Sequence, residues 1–347
     1  MKLLSKADQA LGRLEGVGEV LPNPDLFMMM YIKKEAVLSS QIEGTQASLI
    51  DVLEFEAKTL DPHKSSDVKE VVNYIKAINY GLERVKRDKN VTISMIKKIH
   101  YYLLKDTRGG KRDPGRLRTA QNWIGPPGCD ISDALFIPPN TNDMKIALKD
   151  LEEFMKKEVD LPPLIKAGLI HSQFETIHPF LDGNGRIGRL LITLSLTQSG
   201  HLSRPLLFPS HYFKQNRTEY YERLQAVRDK GEWESWLNFF LRGMFKASID
   251  AINTSIKIIK LRKEQQELIT DKLGKKSGSA LKLFDELFNR PLVTINSIGE
   301  ITNLSYPNAN RLASIFEELK ILKEITGQKR NRIYEFVKYM DILNEGI

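Results

Sequence analysis

Twelve residues near the middle of the chain combine several groups that act on phosphates. The stretch from His178 to Arg189 reads HPFLDGNGRIGR. Its imidazole can act as a base near neutral pH, and its carboxylate is a hard oxygen ligand suited to magnesium. Glycines let the backbone come close to a ligand, and arginines three residues apart are neighbours on one helix face. This composition predicts a phosphate-processing site.

An apolar run of helical length, residues 190–194, follows the glycines. We therefore expect the glycine-rich turn to open a helix whose free N–H groups point at an anion. The residues expected to bind the phosphates are Gly183, Asn184, Gly185, Arg186 and Arg189. A lone histidine, aspartate or glycine-rich turn is usually structural, so the prediction depends on the combination.

The same stretch resembles the signature of the Fic family, HPFx[DN]GNGRxxR, and departs from it at no position. Nine specified residues at fixed spacing arise by chance with a probability on the order of 10⁻¹¹ per start position. Fic proteins mostly transfer AMP from ATP to a hydroxyl of a target protein. The resemblance implies this reaction, with ATP as substrate and Mg²⁺ as cofactor. It implies that His178 removes the proton from a Tyr, Thr or Ser hydroxyl and that Asp182 holds the metal.

A second, shorter motif lies far upstream. Ser39, Glu43 and Gly44 match [ST]xxxE[GN], the inhibitory motif that one class of Fic proteins carries N-terminal to the core. Only three of its positions are specified, so without the signature Glu43 would be interpreted as a solvated glutamate at a helix end. With the signature, the resemblance implies that Glu43 pairs with Arg189 and withdraws a guanidinium from the γ-phosphate of ATP.

Residues 108–139 are punctuated by glycine and proline. Strand-like composition over residues 122–124 and 134–137 flanks a turn and predicts a short β-hairpin. In Fic proteins a hairpin flap at this place holds the modified segment of the target as an added strand. The resemblance therefore implies that a target protein docks on residues 122–137; an inert connecting hairpin is the alternative.

Three further side chains outside the two motifs have predicted roles. In Fic relatives a tyrosine pair after the signature helix lines the adenine pocket, which suits stacking on a purine. We predict this role for Tyr221, with ordinary packing as the alternative. His100 lies among apolar residues and is predicted to be a packed core histidine. His171, on the helix before the signature, is predicted to make a structural hydrogen bond.

The elements that position these groups are mostly helical. Apolar periodicity predicts a helix from residue 25 to about Gly44 and bundle helices over residues 68–85, 93–104 and 141–157. A further helix is predicted to start at residues 161–163 and to run into the signature. Residues 1–25 contain Gly16, Gly18, Pro22 and Pro24 and are predicted to form an extended lead-in. Residues 233–259 are predicted to close the bundle and residues 272–279 to form a linker. The fold class predicted is all-α, a Fic-type helical bundle with a small β-hairpin flap and a C-terminal winged helix-turn-helix domain.

The C-terminal prediction comes from short helices over residues 281–287, 297–303 and 307–319, followed by strands over residues 323–325 and 332–337. This order resembles a winged helix-turn-helix. The hairpin tip, residues 329–332, could contact phosphate, so DNA binding through residues 297–332 is one interpretation and protein contact is another. From Lys275 onward there are 11 basic and 9 acidic residues, an excess that argues only weakly for DNA. The predicted domains are residues 1–60 with the inhibitory helix, the catalytic core 61–270 and the winged helix 277–347.

Composition bounds the remaining possibilities. The chain has 347 residues, a formal charge of +8 and a single cysteine, Cys129, so an internal disulfide and a cysteine zinc site are excluded. The start of the sequence lacks the apolar stretch of a signal peptide, and no segment approaches the length of a membrane span, so a cytoplasmic protein without membrane contact is expected. A P-loop kinase or ATPase is disfavoured because GxxxxGK[ST] is absent. A homodimer is compatible with the sequence.

Two other functions stay open, namely removal of AMP by the same site and a DNA-binding regulator whose Fic site senses ATP.

Overall fold

The computed structural model describes residues 2–20, 24–57, 62–107, 112–126, 128–274 and 277–345. The described chain is mostly helical, with one small sheet near its end. Its helices are α1 Lys2–Val20, α2 Pro24–Ile42, α3 Leu49–Glu56, α4 Ser65–Asp88, α5 Ile93–Leu104, α6 Thr141–Lys156, α7 Pro163–Ile177, α8 Asn184–Gln198, α9 Ser210–Gln215, α10 Arg217–Lys230, α11 Trp233–Leu273, α12 Gly278–Leu287, α13 Ile295–Thr302, α14 Tyr306–Glu318 and α15 Val337–Asn344. Its strands are β1 Leu292–Thr294, β2 Lys323–Glu324 and β3 Ile333–Glu335. No helix in these ranges is both long and apolar enough to cross a membrane.

Helix α8 lies at the centre of the bundle. Its apolar residues, among them Leu190, Leu191 and Leu194, are buried, and α2, α4, α5 and α7 pack around it. A helix that is buried on every side needs apolar residues on every side, which is why the run after the glycines has no polar face. The helix therefore presents its N-terminus, and the signature before it, from a rigid core.

The prediction of an extended lead-in is wrong for residues 2–20, which form α1. Ala7, Leu11 and Leu14 are buried at helical spacing, and α1 packs along α11. Gly12 and Gly16 have no neighbouring atom where a side chain would begin, so they lie on the open face. Burial of the apolar face outweighs the cost of about 1 kcal/mol for each glycine in a helix. Residues 21–23 of the predicted lead-in lie outside the described residues.

The flap over residues 122–137 contains less regular strand than predicted. One antiparallel bridge joins Ile124 and Phe136. The Ile124 N–H donates to the Phe136 carbonyl at 2.9 Å, and the Phe136 N–H donates to the Ile124 carbonyl at 3.1 Å. A 3₁₀ turn over Ile131–Asp133 occupies the tip, and Pro126 has no N–H to donate to a ladder. The two segments therefore meet as a hairpin-like turn with one bridge.

Helix α11 is longer than predicted, and the linker after it is shorter. The helix continues past Ile259 to Leu273, because Leu261 and Ile269 remain buried along it. Helix α12 already begins at Gly278, so the predicted linker over residues 272–279 shrinks to a few residues. Of these, residues 275–276 lie outside the described part of the chain.

The C-terminal elements contain the predicted helix-turn-helix, α13 and α14, and the predicted hairpin, β2 and β3. The sequence analysis missed strand β1, which makes a three-stranded antiparallel sheet in the order β1-β3-β2. Val293 of β1 and Glu324 of β2 both pair with Tyr334 of β3. It also missed α15 and extended the last strand to Val337, whereas β3 ends at Glu335. The proposed domain limits stay predictions, and the one at residues 60–61 lies outside the described residues.

Candidate active site

The signature begins in a sharp turn between α7 and α8. His178 caps α7 in the left-handed region at φ 48°, and Gly183 opens α8 at φ 79°. Between them, the Asn184 side chain accepts from the Phe180 N–H at 3.0 Å and donates to the Phe180 carbonyl at 2.8 Å. The buried Phe180 ring stacks on His100 at 3.9 Å between centroids. Asn184 and Phe180 thus fix the loop, and the Asn184 side chain has a structural role.

Two residues outside the signature hold this turn from the flap side. Arg118 is fully buried, and its Nε donates to the His178 carbonyl at 3.0 Å while its Nη2 donates to the Pro139 carbonyl. Asn122 Nδ2 donates to the Phe180 carbonyl at 2.9 Å. The sequence analysis singled out neither residue for this role, because a side chain that binds a distant carbonyl leaves no pattern in the sequence.

The His178 imidazole has a defined tautomer. Its Nδ1 lies 3.3 Å from the Glu175 carbonyl, which can only accept, so Nδ1 carries the proton and Nε2 carries the lone pair. Burial and the nearby Arg228 guanidinium lower the pKa of His178 to about 4. The ring is therefore neutral near pH 7 and can accept a proton at Nε2.

The two histidines that the sequence analysis placed in the core, His100 and His171, are buried as predicted. His100 Nδ1 accepts from the Gly115 N–H at 2.7 Å, so its Nε2–H donates to the Asp182 carbonyl, 3.1 Å away. His171 Nε2 lies 2.8 Å from the Tyr220 hydroxyl. Burial lowers the pKa of His100 to about 4 and that of His171 to about 3. His100 does more than pack, since it supports the signature loop at Asp182.

The structure brings Glu43, in the turn directly after α2, onto the first turn of α8. A methyl group at Gly185 would overlap the Glu43 carboxylate, so glycine is needed for this approach. Arg189, which is fully buried, donates from Nη2 to Glu43 Oε1 at 2.6 Å. Burial alone would raise the pKa of Glu43, but the Arg189 guanidinium outweighs it and lowers the pKa. Glu43 is thus an ionised carboxylate at the anion-binding end of a helix.

Ser39 completes the contact between α2 and α8. Arg189 Nε donates to Ser39 Oγ at 2.8 Å, and Arg189 Nη2 donates to the Ser39 carbonyl at 2.9 Å. Ser39 Oγ in turn donates to the Tyr74 hydroxyl at 3.2 Å, which donates to the Arg186 carbonyl at 3.0 Å. Both residues of the short motif therefore bind Arg189, and Tyr74 links them to the next arginine of the signature.

The Arg186 guanidinium has N–H groups without a hydrogen-bond acceptor among the described residues. Its guanidinium is buried, with Nη1 at 3.6 Å from Glu70 Oε2 and Nη2 at 3.6 Å from Asp182 Oδ1. Arg186 Nε and Nη1 and Arg189 Nη1 are buried without a hydrogen-bond partner among the described residues. Unpaired buried donors on charged groups are costly, and an oxyanion would satisfy them.

Asp182 fits a magnesium ion that arrives with phosphates. Its side chain is 43% exposed, and its Oδ1 accepts from the Gly183 N–H at 2.6 Å. That bond occupies one of the N–H groups predicted to cradle phosphate. In the ranges that the structure describes, no group of three or more histidine, cysteine, aspartate or glutamate residues could hold a metal alone. Magnesium bound to proteins commonly uses one or two carboxylates plus substrate phosphates and water, which this single carboxylate suits.

The two tyrosines of α10 differ. Tyr220 is buried and stacks on Phe213 at 4.7 Å, whereas Tyr221 is 39% exposed. Burial and the negative charge of Glu43 raise the pKa of Tyr221 to about 12, so the ring is near the Glu43–Arg189 pair. The structure thus leaves Tyr221 open beside the site, and its contact with adenine stays a prediction.

The sequence analysis did not name two further residues at this site, the half-buried Arg228 and the buried Glu175. Arg228 donates from Nη2 to the Glu175 carbonyl at 3.1 Å, and its guanidinium lies 4.1 Å over the Phe136 ring of the flap. The Glu175 carboxyl lies so close to Gly188 that any larger residue there would overlap it. Burial raises the pKa of Glu175 to about 7, although Arg189 opposes the shift. Both residues tie neighbouring elements to the signature without belonging to its pattern.

Two family models match this chain. Residues 1–83 match the Fic/DOC family N-terminal model, and residues 90–196 match the Fic/DOC family model. Together the matches span more than half of the chain. The chain belongs to the Fic/DOC family. The resemblance carried by residues 178–189 is thereby confirmed at the level of the family.

Relatives and solved structures extend this Fic assignment. The protein adenylyltransferase Fic of Drosophila willistoni is 29% identical over 214 residues, covering 57% of this chain and 38% of the relative. That of Drosophila mojavensis is 30% identical over 214 residues, covering 57% of this chain and 38% of the relative. The chain thus spans about two fifths of these relatives.

Two solved Fic structures share the fold. A Fic family protein from Desulfovibrio desulfuricans superposes with a TM-score of 0.61 at 19% identity, over 97% of this chain and 96% of that one. Fic-1 from C. elegans, an E274G fragment, gives a TM-score of 0.56 at 24% identity, over 74% of this chain and 71% of that one. At these identities the likeness concerns the fold alone. The predicted all-α, Fic-type fold is confirmed.

Proposed function

We propose that this Fic protein is an adenylyltransferase that moves AMP from ATP to a Tyr, Thr or Ser hydroxyl of a protein. The observation that carries the proposal is the convergence at one helix start of a histidine with a free Nε2 lone pair and buried, unpartnered guanidinium N–H groups. The Drosophila relatives bear the name protein adenylyltransferase, which supports the same reaction.

The chemistry follows from the groups in place. His178 Nε2 takes the proton of the acceptor hydroxyl, and the hydroxyl oxygen attacks the α-phosphorus of ATP. The bond from the α-phosphorus to its bridging oxygen breaks, and pyrophosphate leaves. Arg186, Arg189 and backbone N–H groups at the start of α8 bind the phosphate oxygens. Asp182 would hold Mg²⁺, which supplies charge neutralisation on the leaving pyrophosphate when bound.

Glu43 restrains this site in the proposal. Its carboxylate holds Arg189 Nη2 and lies against Gly185, where an oxyanion would otherwise meet the first turn of α8. An arginine engaged in this way is withdrawn from the γ-phosphate, so ATP settles in an unreactive position. The chain is therefore proposed to be autoinhibited in the conformation described.

Labelled ATP tests the reaction directly. The Glu43→Gly variant is incubated with ATP labelled on the α-phosphate and, separately, on the γ-phosphate. Label from the α-phosphate should become covalently attached to protein with release of pyrophosphate, and label from the γ-phosphate should not. Attachment of the γ-label alone would mean phosphoryl transfer and would overturn the proposal.

Removal of AMP is a second candidate because Glu43 is ionised and one third of its side chain is exposed. A carboxylate in that position can orient a water molecule towards a protein-bound AMP. An adenylylated protein incubated with the intact chain and with Glu43→Gly discriminates the two directions. Release of AMP by the intact chain, lost in Glu43→Gly, would favour removal.

A DNA-binding regulator is the candidate from another class. Arg332 Nη2 donates to Asn310 Oδ1 at 2.5 Å, which joins the β2–β3 hairpin to α14, and Lys329 and Arg330 are exposed at the hairpin tip. Duplex DNA titrated against the full chain should bind with marked salt dependence if this surface contacts phosphates. Absence of binding at low salt would favour a protein-contact role for these elements.

A further inference from the structure

A cavity of about 260 Å³ lies between α2, α9 and α11. Among the described residues that line it, none belongs to the signature or to the flap. Sites for drug-sized ligands commonly have about 300 to 1,000 Å³, so this cavity suits a smaller molecule. Part of its wall is apolar and consists of Leu38, Leu206, Phe208, Tyr212, Ala247 and Ala251.

Glu35 of α2 gives this cavity a buried carboxyl group. The residue is 3% exposed, and its Oε1 accepts from Ser210 Oγ at 2.5 Å. Its Oε2 is buried and has no hydrogen-bond partner among the described residues. A buried carboxylate oxygen without a donor costs free energy, and a donor on a ligand would offset that cost. Glu35 is therefore one half of a pair whose other half this chain does not supply.

The basic residues of the cavity already have partners. Lys34 Nζ donates to a backbone carbonyl of α15 at 2.7 Å, and Lys257 forms an ion pair with Glu345. His211 Nε2 accepts from a neighbouring side-chain amide at 2.9 Å, so its ring is neutral. Asp250 lines the cavity from an exposed position on α11. The charge that remains for a ligand is therefore negative, on Glu35 and Asp250.

We propose that this cavity binds a small primary amine with an apolar body. The ammonium group donates to Glu35 Oε2, and the apolar body packs on Phe208 and Tyr212. A charge-assisted hydrogen bond of this kind is stronger than one between neutral groups. An anionic ligand would face two carboxylates and is disfavoured. The cavity thus selects its ligand by charge at one end and by shape at the other.

Helix α2 connects this cavity to the active site. Ser39 lies four residues after Glu35 on the same helix face and accepts from Arg189 Nε at 2.8 Å. Glu43 follows in the turn after α2. A ligand that bridges α2 to α9 and α11 fits this arrangement of the helices, so it favours the state in which Glu43 holds Arg189. This second part of the inference rests on the proposed function and adds a regulator to it.

Calorimetry on the full chain at pH 8 tests the site without any measurement of activity. The probes are phenethylamine and 3-methylbutylamine, each compared with the alcohol of the same shape. Each amine should bind about tenfold or more tightly than its alcohol, because only the ammonium makes a charge-assisted bond. Equal affinity of amine and alcohol, or no binding of either amine, would overturn the inference.

Two variants locate the binding. Glu35→Gln should remove the preference for the amine, since the ionised acceptor is lost. Ala247→Leu, which fills the cavity from α11, should weaken amine and alcohol alike by about tenfold. Glu318→Gln, exposed on α14, is the matched control and should bind as the unmodified chain does. An amine preference that survives in Glu35→Gln would overturn the inference.

Labelled ATP tests the link to Arg189. Saturating phenethylamine should lower automodification of the intact chain by about threefold or more, because it favours the inhibited state. It should leave Glu43→Gly unchanged, whereas an amine that blocked the active site directly would slow both chains. Unchanged or faster labelling of the intact chain would overturn the link. No labelling of either chain would overturn adenylyl transfer, and calorimetry would still decide the amine site.

Discussion

His178 is the residue on which the proposed proton transfer depends. His178→Ala, made in the Glu43→Gly chain, should lower AMP transfer by about 10² to 10⁴, the usual effect of losing a general base. ATP binding should persist, because the phosphate contacts lie on α8. Labelled-ATP rates and calorimetry measure the two effects, and the exposed His201→Ala is the matched control. Undiminished transfer would exclude His178 as the base.

The lowered pKa of His178 gives the same residue a pH signature. With a pKa of about 4, the imidazole is already neutral well below pH 7. Its base form is therefore present above that pKa and lost only as the pH falls through it. Transfer by Glu43→Gly should show no loss between pH 8 and pH 6 that is due to this group. A fall in the transfer rate centred near pH 6.5 that is seen at low acceptor concentration and disappears when the acceptor is saturating would contradict the assignment of this lowered pKa to His178.

Asp182 should be the residue that makes ATP binding sensitive to magnesium. Its exposed carboxylate is the only oxygen ligand of this type in the signature, so Asp182→Ala should leave ATP affinity almost indifferent to Mg²⁺. Calorimetry with and without the metal measures the difference. The exposed Asp160→Ala serves as control. A magnesium dependence equal to that of the unmodified chain would refute the role.

At the scale of elements, α2 acts on α8 through a few polar contacts. Replacing Glu43 by glycine removes the ion pair with Arg189 and uncovers Gly185. Automodification in a labelled-ATP assay should rise at least tenfold, which corresponds to about 1.4 kcal/mol. Adding Arg189→Ala should abolish the gain, since the released guanidinium is then absent.

Two comparisons make that experiment decisive. Gln46→Gly changes an exposed residue just beyond the motif that makes no contact with Arg189, and it should leave labelling unchanged. Labelling of Glu43→Gly equal to or below that of the intact chain would contradict inhibition. Glu43 would then either have no role in the reaction or take part in AMP removal.

The sequence predicted those parts of the site whose residues are contiguous. The signature could be recognised because it fixes residue types at fixed spacing, whereas the pairing of Glu43 with Arg189 was implied only by the resemblance of two separate motifs to the Fic family. Arg118 and Arg228 could not, because they bind carbonyl groups that every residue possesses. Their role depends on which segments meet in space.

The same distinction explains the errors in the fold. Glycines and prolines indicated a loop before residue 25, but packing against α11 outweighs their weak local preference. Strand β1 has three residues, which is too short to show alternation, and it exists because it pairs with β3. The flap was located correctly, yet a single bridge replaced its predicted strands.

At the scale of the whole molecule, buried ionisable groups limit stability from both sides of neutral pH. Burial raises the pKa of Glu35 and Glu175 to about 7, so the folded chain holds protons that the unfolded chain releases near its ordinary value of 4.5. Raising the pH through this window therefore lowers stability. Burial lowers the pKa of His100, His171 and His178, so lowering the pH below about 6.5 also lowers stability.

Glu35 offers a direct test of the alkaline side. Its Oε1 accepts from Ser210 Oγ at 2.5 Å and its Oε2 is buried without a partner among the described residues. Glu35→Gln retains the bond to Ser210 and removes the charge that burial disfavours. Its Tm should exceed that of the unmodified chain by roughly 3 °C at pH 8 and match it at pH 5. The exposed Glu318→Gln should show no such difference, and an equal Tm at pH 8 for Glu35→Gln would contradict the assignment.

Helix α11 also fixes a distance. Its 41 residues correspond to roughly 60 Å. Trp236 lies in the aromatic cluster beside α7, and Arg262, roughly 40 Å further along the helix, pairs with Asp285 of α12 at 2.8 Å. Lys34 of α2 also donates to the Leu343 carbonyl of α15 at 2.7 Å. A flexible tether would let the C-terminal elements sample many distances from the active site. Helix α11 and the hydrogen bond from Lys34 to Leu343 hold them at one distance. A partner that binds both the active site and the C-terminal elements gains affinity from the second contact only if the distance between its own two sites matches that span. When the distances differ, the effective concentration of the second site falls towards zero. A partner that contacts both ends must therefore match this span in size and shape as well as in surface chemistry.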